Sequence, residues 1–301
     1  MSWTEVRIPA TSANLGPGFD ALGMALSIYL DCRFRPAEQL TLRVSGRDAH
    51  MIPATADNLI WQTALRVARD VNRPMPTIEL EIHNDIPIGK GLGSSAAALT
   101  AGVVIAREIL GLGWDEHRIL DEAAQIEGHP DNVAACVLGS ICASAIDDEG
   151  ITRAVRMQLP ARYAVAIITP DFILPTSEAR AVLPATYSRA DAVFNVQRSA
   201  LLIAALLTCT TDAFSAALQD RLHQPYREPL VPGLHEMLAL RRPGLLGSAL
   251  SGAGPSVLVF YERGSENVCE VFREVWLRYG HQSEILWADI PDHGFDLLHG
   301  L

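Results

Sequence analysis

Pro87-Ile88-Gly89-Lys90-Gly91-Leu92-Gly93-Ser94-Ser95-Ala96-Ala97-Ala98 opens a run that continues as LTAGVVIAREIL to Leu110. From Ser94 onward almost every residue is small or apolar, so a helix of this composition has few faces to offer water and belongs inside the fold. The glycines before it let the backbone approach a ligand closely, and the free N–H groups at the helix start point toward an anion. Ser94 and Ser95 add hydroxyls within reach of a phosphate or a metal. No GxxxxGK[ST] string occurs anywhere in the chain. The GxGxxG dinucleotide pattern fails as well, since Ala96 follows Gly91 and Gly93 and no acidic residue is placed for a ribose. A serine-capped helix after a flexible loop is the simpler alternative. Against it stands Lys90, the one lysine among 24 basic residues, placed inside the glycine loop where a compact cation could meet phosphate oxygens.

Around this stretch the chain alternates between strand and helix signals. Leu40, Leu42 and Val44, and then Ile78, Leu80 and Ile82, alternate with polar neighbours, the period of half-buried strands. Between them Ile60, Ala64, Val67, Ala68 and Val71 repeat at helical spacing behind Asp57, a predicted N-cap. A second helix is predicted from Asp115 to Ile126, followed by strands over 140–146, 152–158 and 163–168. The latter half reads as helices over 190–207, 212–219 and 232–240, then strands over 247–250 and 256–260. A helix over 266–279 and a strand over 283–287 end it. This order predicts an α+β protein of two domains, 1–160 and 161–301.

The chain has 301 residues, 49% of them hydrophobic, enough to bury a large core. Its net charge of −11 argues against a nucleic-acid partner, which needs a basic footprint. No apolar run approaching membrane-helix length stands out, and MSWTEVRIPA lacks the basic flank and apolar stretch of a secretory signal. Five scattered cysteines without a CxxC pair fit reduced thiols in a cytoplasmic protein. Metalloprotease, serine-hydrolase and protein-kinase signatures are all missing.

Three further stretches carry polar groups in turn-forming contexts. Pro9-Ala10-Thr11-Ser12-Ala13-Asn14-Leu15-Gly16-Pro17-Gly18-Phe19-Asp20-Ala21-Leu22-Gly23 folds into a tight turn that presents Asn14 and Asp20. An Asp there could receive an ammonium or a hydroxyl, or serve only in Asx hydrogen bonds. Glu127-Gly128-His129-Pro130-Asp131-Asn132 gathers polar groups at a helix junction, and Ser251-Gly252-Ala253-Gly254-Pro255-Ser256 lies between two strands.

Taken in order, PATSANLGPGFDALG, PIGKGLGSSAAA, EGHPDN and LSGAGPS resemble the GHMP kinase superfamily. PATSANLGPGFDALG and EGHPDN look specifically like those of its homoserine kinase branch. The resemblance implies an N-terminal domain like ribosomal protein S5 domain 2, a ferredoxin-like C-terminal domain and an active site between them. It also implies transfer of the γ-phosphoryl of ATP, with Mg²⁺, to the hydroxyl of L-homoserine in threonine biosynthesis, by a cytoplasmic homodimer that needs neither membrane nor nucleic acid. Pro87, Ile88, Gly89, Lys90, Gly91, Leu92, Gly93, Ser94, Ser95 and Ala96 would hold the nucleotide, with Asn58 near the adenine. Ser95 and Glu127 would bind the metal. Asn14, Asp20, His129, Asn132, Thr176, Arg180 and Arg227 would hold the amino acid, Asp20 its ammonium and the two arginines its carboxylate. Among Glu127, Asp131 and Asn132, the catalytic candidates, Asn132 would orient the hydroxyl and Asp131 would be at best a partial base. The rival readings are a sister kinase for another small alcohol and a non-catalytic nucleotide-binding regulator.

Overall fold

The computed structural model describes residues 2–299. In chain order its elements are β1 (Thr4–Ala13), β2 (Leu22–Pro36), β3 (Thr41–Gly46), α1 (Leu59–Asp70), β4 (Ile78–Asn84) and α2 (Ser94–Leu110). Then come α3 (Glu116–Glu127), α4 (Asp131–Leu138), β5 (Ile141–Ile146), β6 (Thr152–Met157) and β7 (Tyr163–Pro170). The remaining helices and strands are α5 (Thr176–Ala181), α6 (Arg189–Thr208), α7 (Phe214–Ala217), α8 (Gln224–Arg227), α9 (Leu234–Ala239), β8 (Leu245–Leu250), β9 (Val257–Glu262), α10 (Glu270–Arg278), β10 (Ser283–Ala288) and β11 (Asp296–His299).

Two sheets organise them. The first has seven strands in the order β11-β1-β2-β4-β3, with β5 pairing the start of β2 and β6 pairing β5. The second has four antiparallel strands in the order β10-β7-β9-β8. In chain sequence that second sheet runs 4-1-3-2 with helices between its first and second and its third and fourth strands, the ferredoxin-like arrangement expected. The predicted α+β fold, with a ferredoxin-like second half, is the observed one.

Hydrophobic pattern explains most of the elements. β4 alternates buried residues with part-buried or exposed ones, with Ile78, Leu80, Ile82 and Asn84 turned inward. α2 is buried along most of its length and packs against α1, α3, α4 and β1, as its composition predicts. β1 and β2 escape detection by alternation because Ile8 to Ala13 and Leu22 to Leu26 are buried on both faces. β7 is likewise buried throughout. Its Tyr163, Val165 and Ile167 join the main core, while Ala164, Ala166 and Ile168 join a smaller core with Phe272 and Trp276 behind the second sheet.

Several expectations need correction. The α1 cap is Asn58, whose side chain accepts from the Ile60 N–H, one residue beyond the predicted Asp57. The helix predicted over 212–219 is a 3₁₀ turn followed by the single turn of α7. α6, at 20 residues, is long and apolar enough by length and composition to cross a membrane, although Asp191, Asn195 and Arg198 interrupt its apolar run. Its Asn195 and Leu202 are nevertheless buried in the fold, Asn195 against Asp220 and the Pro17 carbonyl. Finally, β11 was not foreseen: Asp296–His299 leaves the second half and pairs antiparallel with β1, crossing the division placed at 160.

One close approach fixes the helix that carries the polar junction. A Cβ built on Gly23, at the start of β2, would lie 2.0 Å from the Asp131 carbonyl oxygen at the start of α4. Gly23→Ala therefore has to push β2 and α4 apart, and should lower the unfolding free energy in urea by about 3 kcal/mol. Gly111→Ala is the control, left-handed at φ +58° but with nothing within 4 Å, and should cost only about 1 kcal/mol. Equal losses at the two positions would show that the β2–α4 contact is not the constraint.

Candidate active site

A cleft of about 340 Å³ opens between the two halves of the chain. Every residue expected to hold the nucleotide, metal or amino acid lines it, with one exception, Lys90.

The glycine loop forms one part of the cleft. Gly89, Gly91 and Gly93 all have positive φ, +68°, +74° and +68°, and Gly93 precedes α2 without any side chain capping the helix. The loop carbonyls are taken by the second half of the chain. Gly89 O accepts from Leu174 N at 3.0 Å, Lys90 O from Ser256 N at 3.3 Å and Gly91 O from Ser251 Oγ at 2.8 Å. The N–H groups from Gly91 to Ala96 find no acceptor among the described residues. Such a cradle of free donors at a helix N-terminus suits an oxyanion. Gly93 can hold no side chain, because its Cβ would fall 1.9 Å from Thr11 Oγ1. Lys90 is not part of the cradle. Its ammonium donates to the Pro170 and Phe172 carbonyls, at 2.8 and 2.7 Å, and so ties the loop to the end of β7. The phosphate contact expected of it is corrected on that ground.

Asn58 lines the cleft while capping α1 and donating to Pro53 O at 2.8 Å. Beside it Met51, Ile52, Pro53, Leu59 and Ile60 form an apolar wall of the kind a flat heterocycle needs. Sequence reading missed this wall, since Met51 to Pro53 lie in a 3₁₀ turn and loop with no motif of their own.

The junction between α3 and α4 supplies the acidic groups. Glu127 ends α3, and its side chain has no hydrogen-bond donor among the described residues; the nearest cation, His129 Nε2, is 3.8 Å away. Burial raises its pKa more than the His129 charge lowers it. A part-buried carboxylate without a donor, sharing the cleft with the exposed Ser95 hydroxyl, is an all-oxygen donor set that fits a hard divalent cation. Asp131 is differently placed. Its Oδ1 accepts from His129 Nδ1 at 2.6 Å and from Asn132 N at 2.8 Å, and the residue is 1% exposed. Thr11 Oγ1 donates to Asn132 Oδ1 at 2.8 Å, which fixes that amide in the cleft. Thr11 was not anticipated, because its role depends on β1 passing beside α4. One oxygen or nitrogen each of Asp20, His129 and Asp131 also lies within 4.8 Å of the others.

The remaining wall is ionic. Asn14, Leu15 and Asp20 adopt left-handed φ of +69°, +47° and +53°, conformations that Asn and Asp tolerate better than most residues. Asn14 Oδ1 accepts from Asp20 N at 3.0 Å, and its amide donates to Gly252 O at 3.0 Å, which gives the Ser251–Ser256 turn a structural task. Asp20 pairs with Arg180 at 2.9 Å across the two halves. Arg227 is 1% exposed and has no carboxylate within ion-pair distance among the described residues. Burial, and then the charge of Arg180, push its pKa down to about 10, so it remains a cation at neutral pH.

Comparisons with known proteins identify the family. A family model described as GHMP kinases N terminal domain matches residues 58–140, and one described as GHMP kinases C terminal matches residues 202–277. The chain belongs to the GHMP kinases. It is 67% identical to a homoserine kinase of Solibacter usitatus over 98% of this chain and 97% of that one. With a homoserine kinase of Deinococcus radiodurans it shares 46% identity over 86% and 85% of the two chains. The crystal structure of a homoserine kinase from Cytophaga hutchinsonii superposes with a TM-score of 0.86 at 27% identity, covering 99% and 98%. A Lactococcus lactis galactokinase, 14% identical with a TM-score of 0.69 over 98% and 95%, shares the fold. Within the GHMP kinases the chain groups with the homoserine kinases, and it is a phosphotransferase.

The His129–Asp131 pair can be tested by titration. Burial lowers the His129 pKa, but the Asp131 hydrogen bond and the Asp131 and Glu127 charges outweigh it, so the net shift is upward from 6.5. The imidazolium therefore persists above the ordinary histidine range. An NMR titration should place the His129 midpoint above 6.5, and Asp131→Asn should move it below, because burial then dominates. A midpoint unmoved by the substitution would mean that Asp131 does not hold the imidazolium.

Proposed function

We propose that this chain transfers the γ-phosphoryl group of ATP to the side-chain hydroxyl of L-homoserine, giving O-phospho-L-homoserine, the step that commits homoserine to threonine. The observation that carries this reading is the ionic wall. A carboxylate (Asp20) and two arginines (Arg180, Arg227) share one cleft with the glycine cradle, as an amino-acid zwitterion beside a triphosphate requires. A plain hydroxy-acid would have no use for Asp20. The identity to curated homoserine kinases supports the same substrate.

In this reading the free N–H groups of Gly91 to Ala96 bind the triphosphate, and the wall from Met51 to Ile60 takes the base. Asp20 receives the substrate ammonium, and the arginines receive its carboxylate. Thr11 holds Asn132 Oδ1, leaving the Asn132 amide N–H groups to orient the acceptor hydroxyl. Ser95 and Glu127 would hold Mg²⁺, which when bound neutralises phosphate charge. Asp131 is not free to act as a base at Oδ1, which already accepts from His129 and from a backbone N–H. It positions His129 instead. Phosphoryl transfer through a loose transition state asks for alignment and charge neutralisation more than for early proton removal, and the cleft supplies those.

The thiols of Cys32, Cys136, Cys142 and Cys269 are buried and unbridged, in keeping with a cytoplasmic enzyme. α6 exposes Val193, Val196, Leu201 and Leu207, an apolar face on which the two copies of a homodimer could meet.

ADP release from Mg-ATP should be strong with L-homoserine and weak with D-homoserine, L-serine, L-threonine, mevalonate and shikimate. Turnover on mevalonate or shikimate instead would void the zwitterion assignment, and ATP binding without turnover on any of them would favour a regulator. Asp131→Asn should slow kcat by well under 10⁴-fold, with any displaced limb of the pH profile following the His129 midpoint, the mark of lost positioning. A larger loss with a displaced pH profile would restore Asp131 as the base.

A further inference from the structure

Arg227 carries five N–H donors, and the structure accounts for three of them. Nε donates to Ala179 O at 3.0 Å, and Nη1 donates to Gly252 O at 3.0 Å and lies 3.1 Å from His223 Nδ1. Nη2 has no partner among the described residues, and Arg227 lines the cleft. The substrate carboxylate is therefore offered the two N–H groups of Nη2, rather than the whole guanidinium fork that sequence reasoning assumes.

His223 makes that arrangement possible only in one protonation state. It is fully buried, and its Nε2 lies 2.7 Å from Gly16 O and 3.6 Å from Asp220 Oδ2, both acceptors. The ring proton must sit on Nε2, which leaves Nδ1 as a lone pair facing Arg227. Asp220 is locked in turn by Asn195 Nδ2 at 2.7 Å and by the N–H groups of Leu222, His223 and Gln224 at 2.9, 2.9 and 2.6 Å. Phe19 stacks on the imidazole with ring centroids 5.4 Å apart. A carboxylate in place of His223 would neutralise Arg227 directly and compete with the substrate. A neutral acceptor aims the guanidinium without cancelling its charge, and the Asp220 carboxylate offsets the buried cation from one residue further away.

We infer that His223, fixed as the Nε2–H tautomer by Gly16 and Asp220, is a positioning residue that aims Nη2 of Arg227 at the substrate carboxylate. This inference rests on the homoserine reading above, and wild-type turnover of L-homoserine tests that reading separately. His223→Leu removes the acceptor; His223→Asn keeps an oxygen near the place of Nδ1. A charge-assisted hydrogen bond lost from a buried site predicts that His223→Leu raises KM for L-homoserine by roughly ten- to a hundredfold. KM for ATP should be unchanged, and His223→Asn should recover most of the loss. In an Arg227→Met background the His223→Leu effect should vanish. Equal rises in both KM values, no recovery by Asn, or full additivity with Arg227→Met would each overturn the inference. A measurement on the wild-type enzyme stands apart from the folding of any variant. The imidazole ¹⁵N shifts of His223 at neutral pH should report a protonated Nε2 and a bare Nδ1, and a protonated Nδ1 would refute the assignment.

Discussion

The carbonyls of Gly89, Lys90 and Gly91 all accept hydrogen bonds from the second half of the chain, and the cleft depends on this. A peptide unit whose C=O is held on one side presents its N–H on the other, so anchoring the carbonyls aims the donors into the cleft. Positive φ at Gly89, Gly91 and Gly93 makes that orientation accessible without strain. Lys90 strengthens the anchor from the same loop, its ammonium spanning two carbonyls at the end of β7. The cation therefore acts on the phosphate site through the backbone instead of by charge. Neither half could present this cradle by itself, because the loop belongs to one and its partners to the other.

What the sequence made legible follows from how local each signal is. The glycine loop, the Glu127–Asn132 junction and the Asn14–Asp20 turn are short strings whose chemistry is contained within a few residues, and all of them meet in one cleft. α2 was readable because it is small or apolar almost all the way round. Thr11, His223 and the wall at Met51–Pro53 were not, because their tasks exist only where distant segments cross. Thr11 serves Asn132 across 121 positions, and His223 is fixed by Gly16 across 207. The direction of Lys90 was misread for a related reason: a cation in a glycine loop resembles a phosphate ligand until the carbonyls it binds, some 80 positions away, are located.

The ionic wall shows how a net-acidic protein can accommodate anions. Asp20 and Arg180 neutralise each other while one spans to the other half, so neither is a bare charge. Arg227 is handled differently, kept charged under burial by carbonyls and a neutral imidazole, with its anion held one residue back. Unpaired buried charge is costly, and the arrangement places that cost where a ligand carboxylate relieves it. The junction at His129 uses the opposite solution, a direct ion pair with Asp131.

The pairing of β11 with β1 sets Thr4 opposite His299 and so brings the two ends of the described chain together. During synthesis β1 emerges early, yet its outer edge must wait for nearly the whole of the remaining chain before it is covered. An uncovered edge strand is a template for the wrong neighbour, and here it stays open until the second half exists to return the closing strand. The nascent first half is in this sense an unfinished sheet rather than a finished domain.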